Sequence, residues 1–192
     1  MCSLKTYKRF AMVYSRINEH IEIEMVSPFN VENIYMLVQS NKDYLAESLD
    51  WVDETNSQDI VLENTKRALR DYAEKTGVGY VIKFNGTIVG RISLWEVNSK
   101  AKIYEIGYWI SQEHTKKGIT TDCAREVINI GFRYFGAEKI EINCIVENTA
   151  SNRIVKKLGF KHEGVRRNSI KVRDKVYNMN RYGLLKSEWN RF

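Results

Sequence analysis

Hydrophobic and polar residues alternate along His20-Ile-Glu-Ile-Glu-Met-Val26, the two-residue period of a strand with one buried face. Ser27-Pro28 breaks that strand, and Val31, Ile34, Tyr35, Leu37 and Val38 then recur at helical spacing. A polar stretch carrying Leu45, Leu49, Trp51 and Val52 leads into a second helical pattern from about Gln58 to Lys75, which Gly77 is expected to stop. Tyr80 to Phe84 and Thr87 to Trp95 flank Asn85-Gly86, a pair suited to the two positive-φ positions of a type I′ hairpin. A strand from Lys102 to Ile110 comes next. The helix after it runs to Phe135, with Ala124, Val127, Ile128, Gly131, Phe132 and Phe135 on one stripe, and ends at Gly136. Lys139 to Val146 reads as a strand, Asn148 to Leu158 as a helix closed by Gly159, and Phe160 to Val165 and Val176 to Leu184 as the last strands. About seven strands, joined both by hairpins and by helices, predict one mixed α/β (α+β) sheet with helices on its faces. Residues 1–18 lack a clear period and are expected to form a loosely packed extension, with a single domain over 19–192.

Composition changes this picture little. Over 192 residues, 43% hydrophobic and 28% charged types are ordinary for one globular domain. The net charge of +6 suits nucleic acid, an anionic cofactor or an acidic protein surface equally well. No RNA-binding aromatic pair, helix-turn-helix or zinc pattern points to nucleic acid, and no apolar run approaches the ~18 residues of a membrane span. Cys2, Cys123 and Cys144 have neither CxxC nor Cys/His ligand spacing, so no metal is expected; with no signal-peptide pattern, the reading is a reducing cytoplasm.

The chemistry concentrates at EIGYWISQEHTKKGITTDC, from Glu105 to Cys123, where an alternating strand passes through a basic bend into a helix. Gly118 permits the turn, and the first amides of the helix it opens are unpaired at the positive end of a macrodipole. With Lys116 and Lys117 beside them, they form a cradle for phosphate. Neither GxxxxGK[ST] nor GxGxxG occurs, which disfavours ATP and NAD.

The order of elements, EIGYWI before the bend, ITTDCAREVI after it, ENTASNRIVKKLGF and RYGLLKSEW together resemble the GCN5-related N-acetyltransferases (GNAT), especially those of the RimJ/RimL type that acetylate ribosomal proteins. The family bend is [QR]xxGx[GA]; this chain has Thr115-Lys-Lys-Gly118-Ile-Thr120, keeping only the glycine. The resemblance implies acetyl-CoA as donor, with its pyrophosphate on the amides of Lys116, Lys117, Gly118, Ile119, Thr120 and Thr121 and its pantetheine along Tyr108-Trp109-Ile110. It also implies a splay between the fourth strand, Lys102–Ile110, and the fifth, Lys139–Val146, for which a bulge near Gly107-Tyr108 would serve.

In such an enzyme an uncharged amine attacks the thioester, the oxyanion is held by an N–H near Ile110, and the departing thiolate is protonated. Glu105 is the candidate base; its plain structural role would be an ion pair with Lys102 or Lys139. Relatives place a glutamate between the last two strands where this chain has Ile170, and a tyrosine in the helix after the fifth strand where it has Val155. Asn148-Thr-Ala-Ser151 matches the family's NxAS, which implies Asn148 at the cofactor and Ser151 as proton donor to its sulfur; the local alternative is a helix cap. Trp51 falls at the acceptor site or in the core, with Glu47, Asp50, Asp53 and Glu54 around it, while His162 and Tyr177 read as structural. The implied acceptor is a primary amine, first the N-terminus of a ribosomal protein. A polyamine, an aminoglycoside or a non-catalytic acyl-CoA-binding role stands as the alternative, and the resemblance leaves a homodimer open.

Overall fold

The computed structural model describes residues 12–189. Eight strands form one sheet in the order β1-β2-β3-β4-β5-β6-β8-β7. They are β1 (Tyr14–Arg16), β2 (Ile21–Met25), β3 (Gly77–Phe84), β4 (Thr87–Asn98), β5 (Ile103–Ile110), β6 (Lys139–Ile145), β7 (Lys161–Val172) and β8 (Lys175–Leu185). All neighbours run antiparallel except β5 and β6. The mixed sheet expected from the sequence is therefore present.

The sheet divides two apolar layers. Among the helices are α1 (Val31–Ser40), α2 (Lys42–Leu45), α3 (Gln58–Glu74), α4 (Ile119–Ile130) and α5 (Thr149–Lys157); on one face Ile92, Leu94, Tyr104, Ile106, Ile140 and Ile142 pack against Cys123, Val127 and Ile128 of α4, Val155 of α5 and its C-cap Leu158. On the other face Val31, Ile34 and Val38 of α1, Leu45 of α2 and Val61 of α3 pack around Val26, Val52 and Val81. Asn85 and Gly86 take φ values of 50° and 78°, as the hairpin requires. A π-helical turn, Gly131–Phe135, extends α4 to Gly136 in the left-handed region. Among the described residues no helix is long and apolar enough to cross a membrane.

Several expectations are corrected. Residues 1–11 lie outside the described ones, but Tyr14–Arg16, assigned to a loose extension, pairs with β2 as the eighth strand. Lys75, in the left-handed region at φ 61°, ends α3, and Gly77 instead opens β3, where a Cβ would come 2.6 Å from the Leu94 carbonyl oxygen. β7 is longer than the pattern suggested, because most of its side chains are exposed and only a buried face leaves an alternating signature, whereas β8 agrees to within one residue at each end.

Candidate active site

β5 and β6 pair at only three positions, Ile103↔Lys139, Tyr104↔Ile140 and Glu105↔Glu141, and then part. The expected splay is there, but the bulge proposed to cause it is not. The β4–β5 register runs unbroken from Gly90↔Ile110 to Glu96↔Tyr104 and shifts only at Glu96/Asn98. The cause lies on the outer edges: β5 follows β4, while β6 pairs with β8 along its whole length, Lys139↔Leu185 to Ile145↔Met179. Each strand keeps one complete ladder, so the wedge leaves only the inner backbone groups open, able to receive an amide-bearing chain.

The wedge leads to the start of α4. Gly118 is its N-cap at φ 82°, and no side chain caps the helix. A Cβ built on Gly118 would meet nothing within 4 Å, so the glycine is needed for its backbone angle and the space above it is open. Lys116, at φ 61°, and Lys117 are exposed beside it. The Ile119, Thr120 and Thr121 side chains are buried, which leaves the helix-end N–H groups as the polar surface there. Ahead of the bend, Ser111 Oγ and His114 Nδ1 share a hydrogen bond of 2.8 Å, and the Thr115 hydroxyl donates to the Gln112 carbonyl. An uncapped helix end with two flanking lysines fits a diphosphate.

Where the strands begin to part, Tyr108 OH and Ser151 Oγ share a hydrogen bond of 3.0 Å. Asn148 caps α5 by accepting from the Ser151 amide at 3.0 Å, so the capping role holds for Asn148 while the Ser151 hydroxyl is directed across to β5. Burial pushes the Tyr108 phenol and the nearby Cys144 thiol upward, keeping both protonated. Asn152, 8% exposed, locks this corner. Its Nδ2 donates to the carbonyls of Asn148, Ile145 and Val146 at 2.7, 3.0 and 3.3 Å, and its Oδ1 accepts from Tyr182 OH at 2.8 Å and Asn180 Nδ2 at 2.7 Å. Val155 is fully buried in the core.

Glu105 lines a cavity of 940 Å³ on the α1–α3 side of the sheet. Burial pushes its carboxyl above the usual carboxylate value, Glu141 adds to the rise, and the Asn143 side chain and two arginines, Arg166 and Arg181, pull the other way. Neither expected lysine pairs with it: Lys139 binds Glu141 at 2.8 Å and Glu163 at 2.7 Å, and Lys102 is exposed. Asn143 Oδ1 is buried without a hydrogen-bond partner among the described residues. Trp51 also lines this cavity, its ring centroid 6.0 Å from that of Trp109, and packs against the second apolar cluster, so it faces both site and core. Asp50 and Glu54 line the cavity; Asp53 is instead bound by Arg173 at 2.9 Å, which ties the β7–β8 hairpin to the loop before α3. Ile170 pairs with Tyr177 in that hairpin. His162 bonds Asn180 at 3.0 Å and Tyr177 lies under the Lys175 ammonium, both structural arrangements.

The sequence reading overlooked the Tyr108 hydroxyl, Asn143, Asn152 and Arg91. Only Arg91 carried a signal, a lone cation in the apolar run Ile88-Val89-Gly90-Arg91-Ile92.

Comparison with known proteins agrees with this geometry. The family model described as Acetyltransferase (GNAT) domain matches residues 26–161. A Bacillus subtilis (strain 168) protein named "Putative ribosomal N-acetyltransferase YdaF" is 30% identical over 93% of this chain and 98% of its own. The ribosomal-protein-serine acetyltransferase of Escherichia coli (strain K12) is 26% identical over 87% of this chain and 93% of its own. The microcin C7 self-immunity acetyltransferase MccE, solved with acetyl-CoA and AMP, superposes with a TM-score of 0.81 at 25% identity, covering 88% of this chain and 94% of the other. This chain belongs to the GNAT family of N-acetyltransferases.

Proposed function

We propose that this enzyme transfers acetyl from acetyl-CoA to a primary amine, in the first instance the N-terminal amino group of a ribosomal protein. One observation carries the reading: the wedge between β5 and β6 joins an uncapped helix start at Gly118 to a corner with Glu105 on one side and the Tyr108–Ser151 pair on the other. The donor supplies an activated acyl carbon and a thiolate leaving group.

The residues divide the remaining tasks. The amides at the start of α4, with Lys116 and Lys117, hold the diphosphate. Open backbone groups of Tyr108, Trp109 and Ile110 take the pantetheine amides, and an N–H near Ile110 faces the carbonyl oxygen as it gains charge. Glu105 accepts the proton of the incoming ammonium, a task its burial favours by bringing its affinity for protons closer to that of neutral solution. The C–N bond forms, the C–S bond breaks, Ser151, backed by the protonated Tyr108, donates to the sulfur, and the second proton that the attacking nitrogen sheds as the amide forms returns, by way of solvent, to the serine oxygen. The names of the relatives support a ribosomal acceptor.

The test is incubation with acetyl-CoA and a panel of peptide N-termini and small amines while free thiol is followed. Thiol release that depends on a peptide amine is expected. Tight coenzyme binding with no release across the panel would replace this reading with a non-catalytic acyl-CoA-binding role.

A further inference from the structure

We infer that the acceptor carries an anionic group, a carboxylate or phosphate, which docks on Arg91 and Arg67 in the cavity beside Glu105. The inference rests on the acetyl-transfer reading and adds the chemical class of the acceptor.

Arg91 stands in the middle of β4 and lines the cavity, and its Nε is buried with no hydrogen-bond partner among the described residues. Elsewhere in the sheet this fold gives each such cation a carboxylate: Lys83 has Glu24 at 2.6 Å, Lys139 has Glu141 and Glu163, and Arg181 has Glu141. Arg91 has none. Its neighbour in charge is a second guanidinium, Arg67 of α3; burial, with Arg67 adding to it, pulls Arg91 down to about 10. An uncompensated buried charge is costly, and a ligand anion removes the cost. A guanidinium is also the side chain best shaped to bind a carboxylate or phosphate through paired hydrogen bonds.

The surroundings fit a ligand at that place. A Cβ on Gly79 would lie 3.4 Å from Arg91 Nη2, so the guanidinium lies close over the glycine backbone of β3. The register Arg91↔Trp109 and Ser93↔Gly107 sets Arg91 two residues along β4, roughly 7 Å, from the position opposite Gly107, where β5 has already left β6. An amine and an anion a few bonds apart span that interval. Five carboxylates, Asp50, Glu54, Asp71, Glu96 and Glu105, also line the cavity and suit the amine end of the acceptor, whereas at Arg91 and Arg67 a second ammonium would meet two guanidiniums.

The experiment measures kcat/KM for matched acceptors with and without the anion: Ser-Asp-amide against Ser-Asn-amide, serine against serinamide, and phosphoethanolamine against ethanolamine, with spermidine alongside. These pairs separate a side-chain carboxylate, a main-chain carboxylate and a phosphate as the source. The anionic member of at least one pair is expected to lead by tenfold or more, and Arg91→Gln should erase that lead while Arg91→Lys retains part of it. Tryptophan fluorescence, with Trp51, Trp95 and Trp109 all at the cavity, gives a readout without turnover: the N-acetylated form of the leading acceptor should quench the native enzyme saturably and Arg91→Gln far less. If Arg91→Gln does not fold, Arg67→Gln carries the same comparisons. Equal rates within every pair, a preference for spermidine, or an anion preference that survives the loss of the arginine would overturn the inference. Absence of thiol release with every amine sinks the acetyl-transfer reading instead, and quenching by the N-acetylated forms, with all three then titrated, still decides for or against Arg91.

Discussion

Replacing Asn152 with alanine tests whether the corner that presents Ser151 is held by one side chain. The amide makes six polar contacts, but its three donor contacts share two N–H groups and the Cys144 thiol, at 3.5 Å from Oδ1, is a weak donor, so they amount to about four hydrogen bonds. At about 1 kcal/mol net for each, the loss is about 4 kcal/mol. For a domain of this size each kcal/mol lowers the melting temperature by roughly 2–4 °C, so a fall of roughly 8–16 °C is expected by calorimetry. Asn152→Asp sharpens the test. It keeps the oxygen that accepts from Tyr182 but turns a carboxylate toward three backbone carbonyls, so at neutral pH it should be less stable than the alanine variant. The folded-state carboxyl would lie above its unfolded value of about 3.9, so this penalty is absent below that value and grows as pH rises above it. A drop under about 3 °C for alanine, or an aspartate variant equal to the native protein at neutral pH, would refute the reasoning.

Glu105→Gln should lower kcat by about 10²–10⁴-fold. Because burial raises the Glu105 carboxyl above 4.5, the native rate should fall on the acid side with a midpoint above that value, and the variant should lack this limb; an identical pH profile would move the base elsewhere. Ser151→Ala should slow turnover more than it changes the KM for acetyl-CoA, and Tyr108→Phe should produce a smaller version of the same effect; native kcat in the alanine variant would reduce Ser151 to a member of the first turn of α5. Gly118→Val should weaken coenzyme A binding in titration calorimetry through strain at φ 82° rather than through a clash, since beyond its own chain neighbours the new Cβ meets no described atom within 4 Å; unchanged affinity in a folded variant would displace the diphosphate from this bend.

The parts of the fold legible in the chain were those fixed by local chemistry. Asn85-Gly86, Gly118 and Gly136 all take the positive φ that their residue types allow, and the helical stripes of α1 and α4 meet the core as their spacing requires. The wedge was anticipated through family likeness, but its cause was misread, because competition between the β4 and β8 edges is a property of the whole sheet. The site divides the same way. Its backbone cradle follows from one glycine, whereas the bond between Tyr108 and Ser151 joins residues 43 apart. The exposed residues of β7 carry no periodic signal, so its length was not recoverable from pattern.

The short parallel contact between β5 and β6 also bears on self-association. An interior sheet normally hides its backbone, yet here Ile106–Ile110 and Ile142–Ile145 leave facing rows of main-chain groups without a ladder between them. Such rows invite stray chains to add on. Because the rows diverge from a common vertex, a flat strand can satisfy one margin or the other but not both along its length. A slender, branch-free tether bearing amides is not held to that choice, so the geometry proposed to admit the coenzyme disfavours the addition of a regular strand.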